Sequence, residues 1–100
     1  MNRKNLPDAI TAILIEDTNP ITFDELCRSL QTEQQFVIEL VEHHVLNPQG
    51  NSYMEWRFDS HNFKRAKTAV SFYRDLEVNL NGIALALELL DQIDELKRLT

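Results

Sequence analysis

The sequence predicts a mostly α-helical chain made of a helix-turn-helix, a short two- or three-stranded wing or sheet, and a long C-terminal helix. Three observations predict it. Only two glycines and three prolines interrupt 100 residues, which favours uninterrupted helices. Two helix-start patterns follow each other closely, at Thr22/Glu25 and at Thr32/Gln35. Beyond Gly82 no helix breaker occurs before Thr100.

A chain of this length fits one domain, residues 1–100, with a single modest core. Its first patterned segment, Ala9-Ile10-Thr11-Ala12-Ile13-Leu14-Ile15, is short, rich in β-branched residues and closed by the turn formers Asp17-Thr18-Asn19-Pro20. It reads as a strand over residues 9–15, with a short helix after Pro7 as the alternative.

Residues 22–44 read as the helix-turn-helix. Thr22 and Glu25 fit a reciprocal capping box, with Ile21 and Leu26 placed as a hydrophobic staple. Thr32 and Gln35 repeat the arrangement, and Phe36, Val37, Leu40 and Val41 then recur at helical spacing. After the turn chemistry of Gln49-Gly50-Asn51-Ser52, Met54-Glu55-Trp56-Arg57-Phe58 alternates apolar and polar, so residues 54–58 read as a wing strand with Met54, Trp56 and Phe58 on one face. Asp59 is the expected cap of a helix over residues 60–77, which carries Phe63, Ala66, Val70 and Tyr73 on one line. Asn81 is the expected cap of a last helix over residues 82–99, with Leu80 facing Leu85 across it.

On a wheel of 100° steps the apolar residues of that last helix cover about 220°, whereas packing on one core takes roughly 100°. One face therefore closes the core and the other calls for a second owner. A second copy of the chain is the economical one, giving a homodimer with Leu85, Leu89, Ile93 and Leu96 at the interface.

Composition narrows the function. The chain carries a net charge of −6, which opposes a polyanionic partner and suits one with a basic face. No run approaches the roughly 18 apolar residues of a membrane span, and the N-terminus lacks the layout of a secretion signal, so a cytoplasmic location is expected. Cys27 is the only cysteine; it lies among Leu26 and Leu30 and reads as a buried structural thiol. His43-His44 and His61 complete no metal-ligand spacing, because adjacent helical residues point about 100° apart. No nucleophile–base pair or phosphate loop appears, so neither catalysis nor a cofactor nor a small-molecule substrate is expected. Trp56 reads as core on its alternating strand, with an interface anchor as the alternative, and Tyr53 as an exposed aromatic contact or a loop ring lying over the nearest apolar surface. Lys64, Arg65 and Lys67, beside Arg57 and Arg74, are the best argument for nucleic acid, although such clusters more often pair with nearby carboxylates.

A helix-turn-helix, a wing and a terminal helix with a surplus apolar face follow the plan of the MerR-like winged-helix proteins. Within that plan, Gly82-Ile83-Ala84-Leu85-Ala86-Leu87-Glu88-Leu89-Leu90-Asp91-Gln92-Ile93-Asp94-Glu95-Leu96 is the most specific stretch, with weaker support from Val45-Leu46-Asn47-Pro48 and Trp56-Arg57-Phe58-Asp59. Through these stretches, and over residues 21–99, the chain resembles the CbpM family, modulators of the J-domain co-chaperone CbpA. The resemblance implies a regulator that binds the J-domain of a CbpA-like protein and blocks its action with a DnaK-type chaperone, to which J-domains present a basic helix. The second helix, where a DNA-binding relative places Arg and Lys, here holds Glu33, Glu39 and Glu42 and neither basic residue. The candidate J-domain contacts are Glu33, Glu39, Glu42, His43 and Tyr53. The alternative is a MerR-like DNA-binding transcription regulator using Lys64, Arg65 and Lys67.

Overall fold

Thr22 caps the first described helix as the capping pattern requires. In the computed structural model, which describes residues 19–99, its hydroxyl accepts from the Glu25 amide at 3.1 Å while the Thr22 amide donates to the Glu25 carboxylate at 3.0 Å. The two-residue strand β1 (Ile21–Thr22) leads into α1 (Phe23–Leu30) and α2 (Gln34–Glu42). The wing returns to strand β2 (Arg57–Phe58), followed by α3 (Ser60–Leu76) and α4 (Leu80–Leu99). β1 and β2 pair antiparallel, Ile21 opposite Phe58 and Thr22 opposite Arg57, and Gln49 adds an isolated bridge to Arg57. The expected strand over residues 9–15 lies outside the described residues.

Both helices of the helix-turn-helix end in the same six-residue turn. The Thr32 amide donates to the Cys27 carbonyl at 3.0 Å and the Val45 amide to the Leu40 carbonyl at 2.9 Å, each closing a left-handed residue, Gln31 (φ 52°) or His44 (φ 60°). This turn overturns the expected Thr32/Gln35 capping box. With its backbone spent on finishing α1, Thr32 does not start α2; Glu33 is the N-cap instead, without a side-chain cap bond. The same turn ends α2 at Glu42, short of His44.

The wing strand is shorter than the alternation predicts. The amides of Glu55 and Trp56 both donate to the Ser52 carbonyl, at 2.9 and 3.0 Å, so residues 52–55 form a tight turn. That bend breaks the period of two: Trp56 and Phe58 are buried, but Met54 is 91% exposed and shares no face with them. Gly50 makes the bend possible, since at φ 106° a Cβ there would meet the Glu55 carbonyl oxygen at 2.6 Å.

Asp59 caps α3 as expected, accepting from the Asn62 amide at 2.8 Å. Buried Asn62 then reads the backbone of Asn47 from both sides, accepting from its amide at 2.9 Å and donating to its carbonyl at 3.2 Å. This clamp fastens the start of the wing to α3. The frame of α4 is shifted by two residues from the expected one. Asn79, not Asn81, is the cap, its Oδ1 accepting from the Gly82 amide at 2.8 Å. The staple positions accordingly become Val78 and Ile83, both packed in the core, while Leu85 is exposed rather than folded back on Leu80.

One hydrophobic cluster joins all four helices. Its fully buried members include Leu26 of α1, Val37 and Leu40 of α2, Phe58, Phe63 of α3 and Ile83 of α4. Each such side chain contributes about 1.5–3 kcal/mol. Thr22→Ala is expected to lower stability by about 1 kcal/mol through loss of the cap. Glu77→Gly is expected to raise it by roughly 0.5–1 kcal/mol, because Glu77 ends α3 at φ 54°. Urea denaturation of the two variants checks both signs.

A candidate protein-binding surface on the helix-turn-helix

The residues expected to meet a partner separate into two places. Glu39, Glu42 and His43 lie on or beside the outer side of α2, away from its buried residues Val37 and Leu40, and exposed Glu33 is the N-cap at the start of the helix. The Glu39 carboxylate accepts from the Gln35 side chain at 3.3 Å, and the His43 ring nitrogen Nδ1 lies 2.9 Å from the Glu39 carbonyl. That bond turns the His43 ring back along its own helix. Glu33 makes no cap bond, and among the described residues no ion pair engages it. Tyr53 belongs to the other end of the unit. It is 53% exposed and packs over the start of α1, with ring centroids 6.2 Å from Phe23 and 5.0 Å from Trp56.

Between α2 and the C-terminal half of α3 runs an open groove of about 410 Å³. Glu33, Phe36 and Glu39 form one wall, and Val70, Tyr73 and Arg74 the other. The rings of Phe36 and Tyr73 meet across it at 4.7 Å. Sequence reasoning found the acidic wall but missed the opposite one. Tyr73 was placed on the apolar line of α3, and only the tertiary packing brings that line's end beside α2.

Three of the arginines are engaged by the chain's own carbonyls and carboxylates. The Arg65 side chain, only 14% exposed, donates from Nε to the Val45 carbonyl at 2.7 Å and from Nη1 to Asp91 at 2.5 Å. Arg57 donates to the carbonyls of Met54 and Trp56, and Arg74 to those of Leu30 and Gln31. Arg65 is thus withdrawn from the cluster expected of Lys64, Arg65 and Lys67, and it ties α4 to the end of α2.

The expected interface residues Leu85, Leu89, Ile93 and Leu96 follow one side of α4 and are 57, 49, 46 and 64% exposed. The core takes only Ile83 and Leu87 fully from this helix. Cys27 is buried, and its thiol is pushed above its ordinary pKa by burial first and by the Asp24 charge second; a thiol held protonated is a poor nucleophile. Among the described residues no three His, Cys, Asp or Glu side chains gather to hold a metal ion. No helix among them is long and apolar enough to cross a membrane.

Comparison with known proteins places this architecture. The pattern of the MerR HTH family regulatory proteins matches residues 21–99, from β1 to the end of α4. The chaperone modulatory protein CbpM of Coxiella burnetii (strain Dugway 5J108-111) is 47% identical over 89 residues, which span 89% of this chain and 84% of that protein. The chain belongs to the CbpM family. Chaperone modulatory proteins CbpM of Pseudomonas entomophila (strain L48) and Pseudomonas putida (strain W619) are 39% and 36% identical, each over 72 residues spanning 72% of this chain and 71% of the relative. No solved structure matches the chain significantly. These CbpM relatives are named as modulators of chaperones and the matching family as one of regulators; neither name is an enzyme's. The MerR-like plan of helix-turn-helix, small sheet and long last helix is the one described above.

Proposed function

We propose that this protein binds the J-domain of a CbpA-like co-chaperone in the cytoplasm and blocks its cooperation with a DnaK-type chaperone, by binding alone and without a cofactor. The observation that carries the reading is the combination of CbpM family membership with a second helix bearing Glu33, Glu39 and Glu42 and no Lys or Arg. In a DNA-reading protein that helix would meet phosphates with positive charge. Here the acidic face suits the basic helix that a J-domain presents to its chaperone, and a J-domain so covered is unavailable.

The contacts divide by physical role. Glu33, Glu39 and Glu42 set the encounter through long-range attraction, with His43 at the end of the same helix. Tyr53 supplies an exposed aromatic anchor, the kind of residue that carries binding energy once desolvated. Two such surfaces are presented by a homodimer, in which Leu85, Leu89, Ile93 and Leu96 of each α4 pack on a second copy. A contiguous stripe of this kind is otherwise an aggregation liability.

Isolated J-domain binding, measured by stopped-flow mixing at low salt, tests the reading. Reversing charge with Glu39→Lys and Glu42→Lys together is expected to slow association about tenfold and flatten its salt dependence. A J-domain that does not bind the wild-type protein refutes the reading, and unchanged kinetics in the variant remove these residues from the interface. Sedimentation velocity at micromolar concentration is expected to find a dimer, and Leu89→Glu with Ile93→Glu to convert it to monomer. A wild-type monomer would leave the α4 stripe to another partner.

A further inference from the structure

The groove between α2 and α3 combines features that the acidic residues of α2 alone do not. Its two carboxylates, Glu33 and Glu39, sit on one wall; one is engaged by no ion pair among the described residues and the other accepts a single hydrogen bond from the Gln35 amide. Facing them is an aromatic surface, Tyr73 tilted by 39° against Phe36, with Tyr73 53% exposed. The one cation of the lining, Arg74, donates to the Leu30 and Gln31 carbonyls at the end of α1. Those carbonyls form the negative end of the α1 dipole, which offsets the Arg74 charge locally. The groove is therefore left with acceptors and an exposed aromatic residue, and with one more carboxylate than cations.

A planar cation that donates several hydrogen bonds and stacks on a ring fits this set better than a point charge does. We infer that the groove is the receptor for one arginine side chain of a basic partner segment, its guanidinium held by Glu33 and Glu39 and stacked on Tyr73. The inference rests on the proposed binding of a basic partner and names the feature of that partner that this face reads. It gives Tyr73, on α3, a part in recognition, and assigns specificity to arginine over lysine. The groove is open along its length, so the segment bearing the arginine lies over it without entering the core.

The test uses the full chain labelled with ¹⁵N and titrated with acetyl-arginine amide, acetyl-lysine amide and the uncharged isostere acetyl-citrulline amide. Arginine amide is expected to shift the backbone amides of Thr32 to Glu39 and of Val70 to Arg74 with an affinity in the millimolar range, lysine amide more weakly and citrulline amide hardly at all. Glu39→Gln is expected to weaken that response about tenfold and Tyr73→Ala about threefold, with the same spectra reporting that each variant is folded. Arginine-induced shifts equal to those of citrulline, or unchanged in both variants, overturn the inference. A parallel titration with an isolated J-domain separates this from the broader reading. A J-domain that binds while leaving the groove amides unmoved overturns the groove assignment and keeps the function. Arginine capture at the groove without J-domain binding keeps the groove as a receptor for a basic segment and rejects the J-domain as its source.

Discussion

The packing of Phe58 and Phe63 against Leu26, Val37, Leu40 and Ile83 is the contact on which the rest of the molecule depends. Isolated helices shorter than roughly 12–15 residues are marginal in water, and α1 and α2 have only 8 and 9. Neither holds its shape from local propensity. Both are held because their inner residues are buried in one cluster shared with Phe58, with Phe63 of α3 and with Ile83 of α4. The wing is in turn held by Asn62, whose side chain satisfies both backbone groups of Asn47. Because the inner side of α2 supplies its stability, its outer side is free to carry whatever charge the partner requires.

The charges are arranged accordingly. Arg57, Arg65 and Arg74 direct their guanidinium groups to main-chain carbonyls at the wing, the end of α2 and the end of α1. Cations spent on carbonyls tighten the turns and contribute less to the outer field than extended ones would, while Glu33, Glu39 and Glu42 stay at the surface or only half-buried. The helix-turn-helix is thus a scaffold whose second helix carries acidic residues and no Lys or Arg. Arg65 has a second consequence, since it joins the Val45 carbonyl to Asp91. Through it the helix proposed to pair two copies is fixed relative to the helix proposed to meet the J-domain.

Much of this was legible in the residues, for reasons that differ by element. Thr22 and Asp59 were read correctly because a cap is a local interaction, decided within three or four residues. Thr32 departs from its pattern because its amide closes the turn that ends α1, leaving Glu33 as an N-cap without a side-chain bond, and Asn81 because Asn79, two residues earlier, takes the cap. Met54 was misplaced because alternation implies a straight strand, whereas the Ser52 carbonyl draws two amides into a turn. The acidic side of the candidate surface follows from composition and helical phase alone. Its aromatic side does not, since Phe36 and Tyr73 are far apart in the chain and meet only through the crossing of α2 and α3. The exposed stripe of α4 was visible as an excess of apolar residues over what one core can take.

In the proposed function an acidic helix-turn-helix competes with a DnaK-type chaperone for the basic helix of a J-domain. The most direct measurement is the ATPase rate of such a chaperone, stimulated by a CbpA-like J-domain protein, as this protein is added. The rate is expected to fall toward the unstimulated level and to be restored by further J-domain protein. A stimulated rate that stays unchanged at saturating concentrations, or a fall that extra J-domain protein does not reverse, would contradict it.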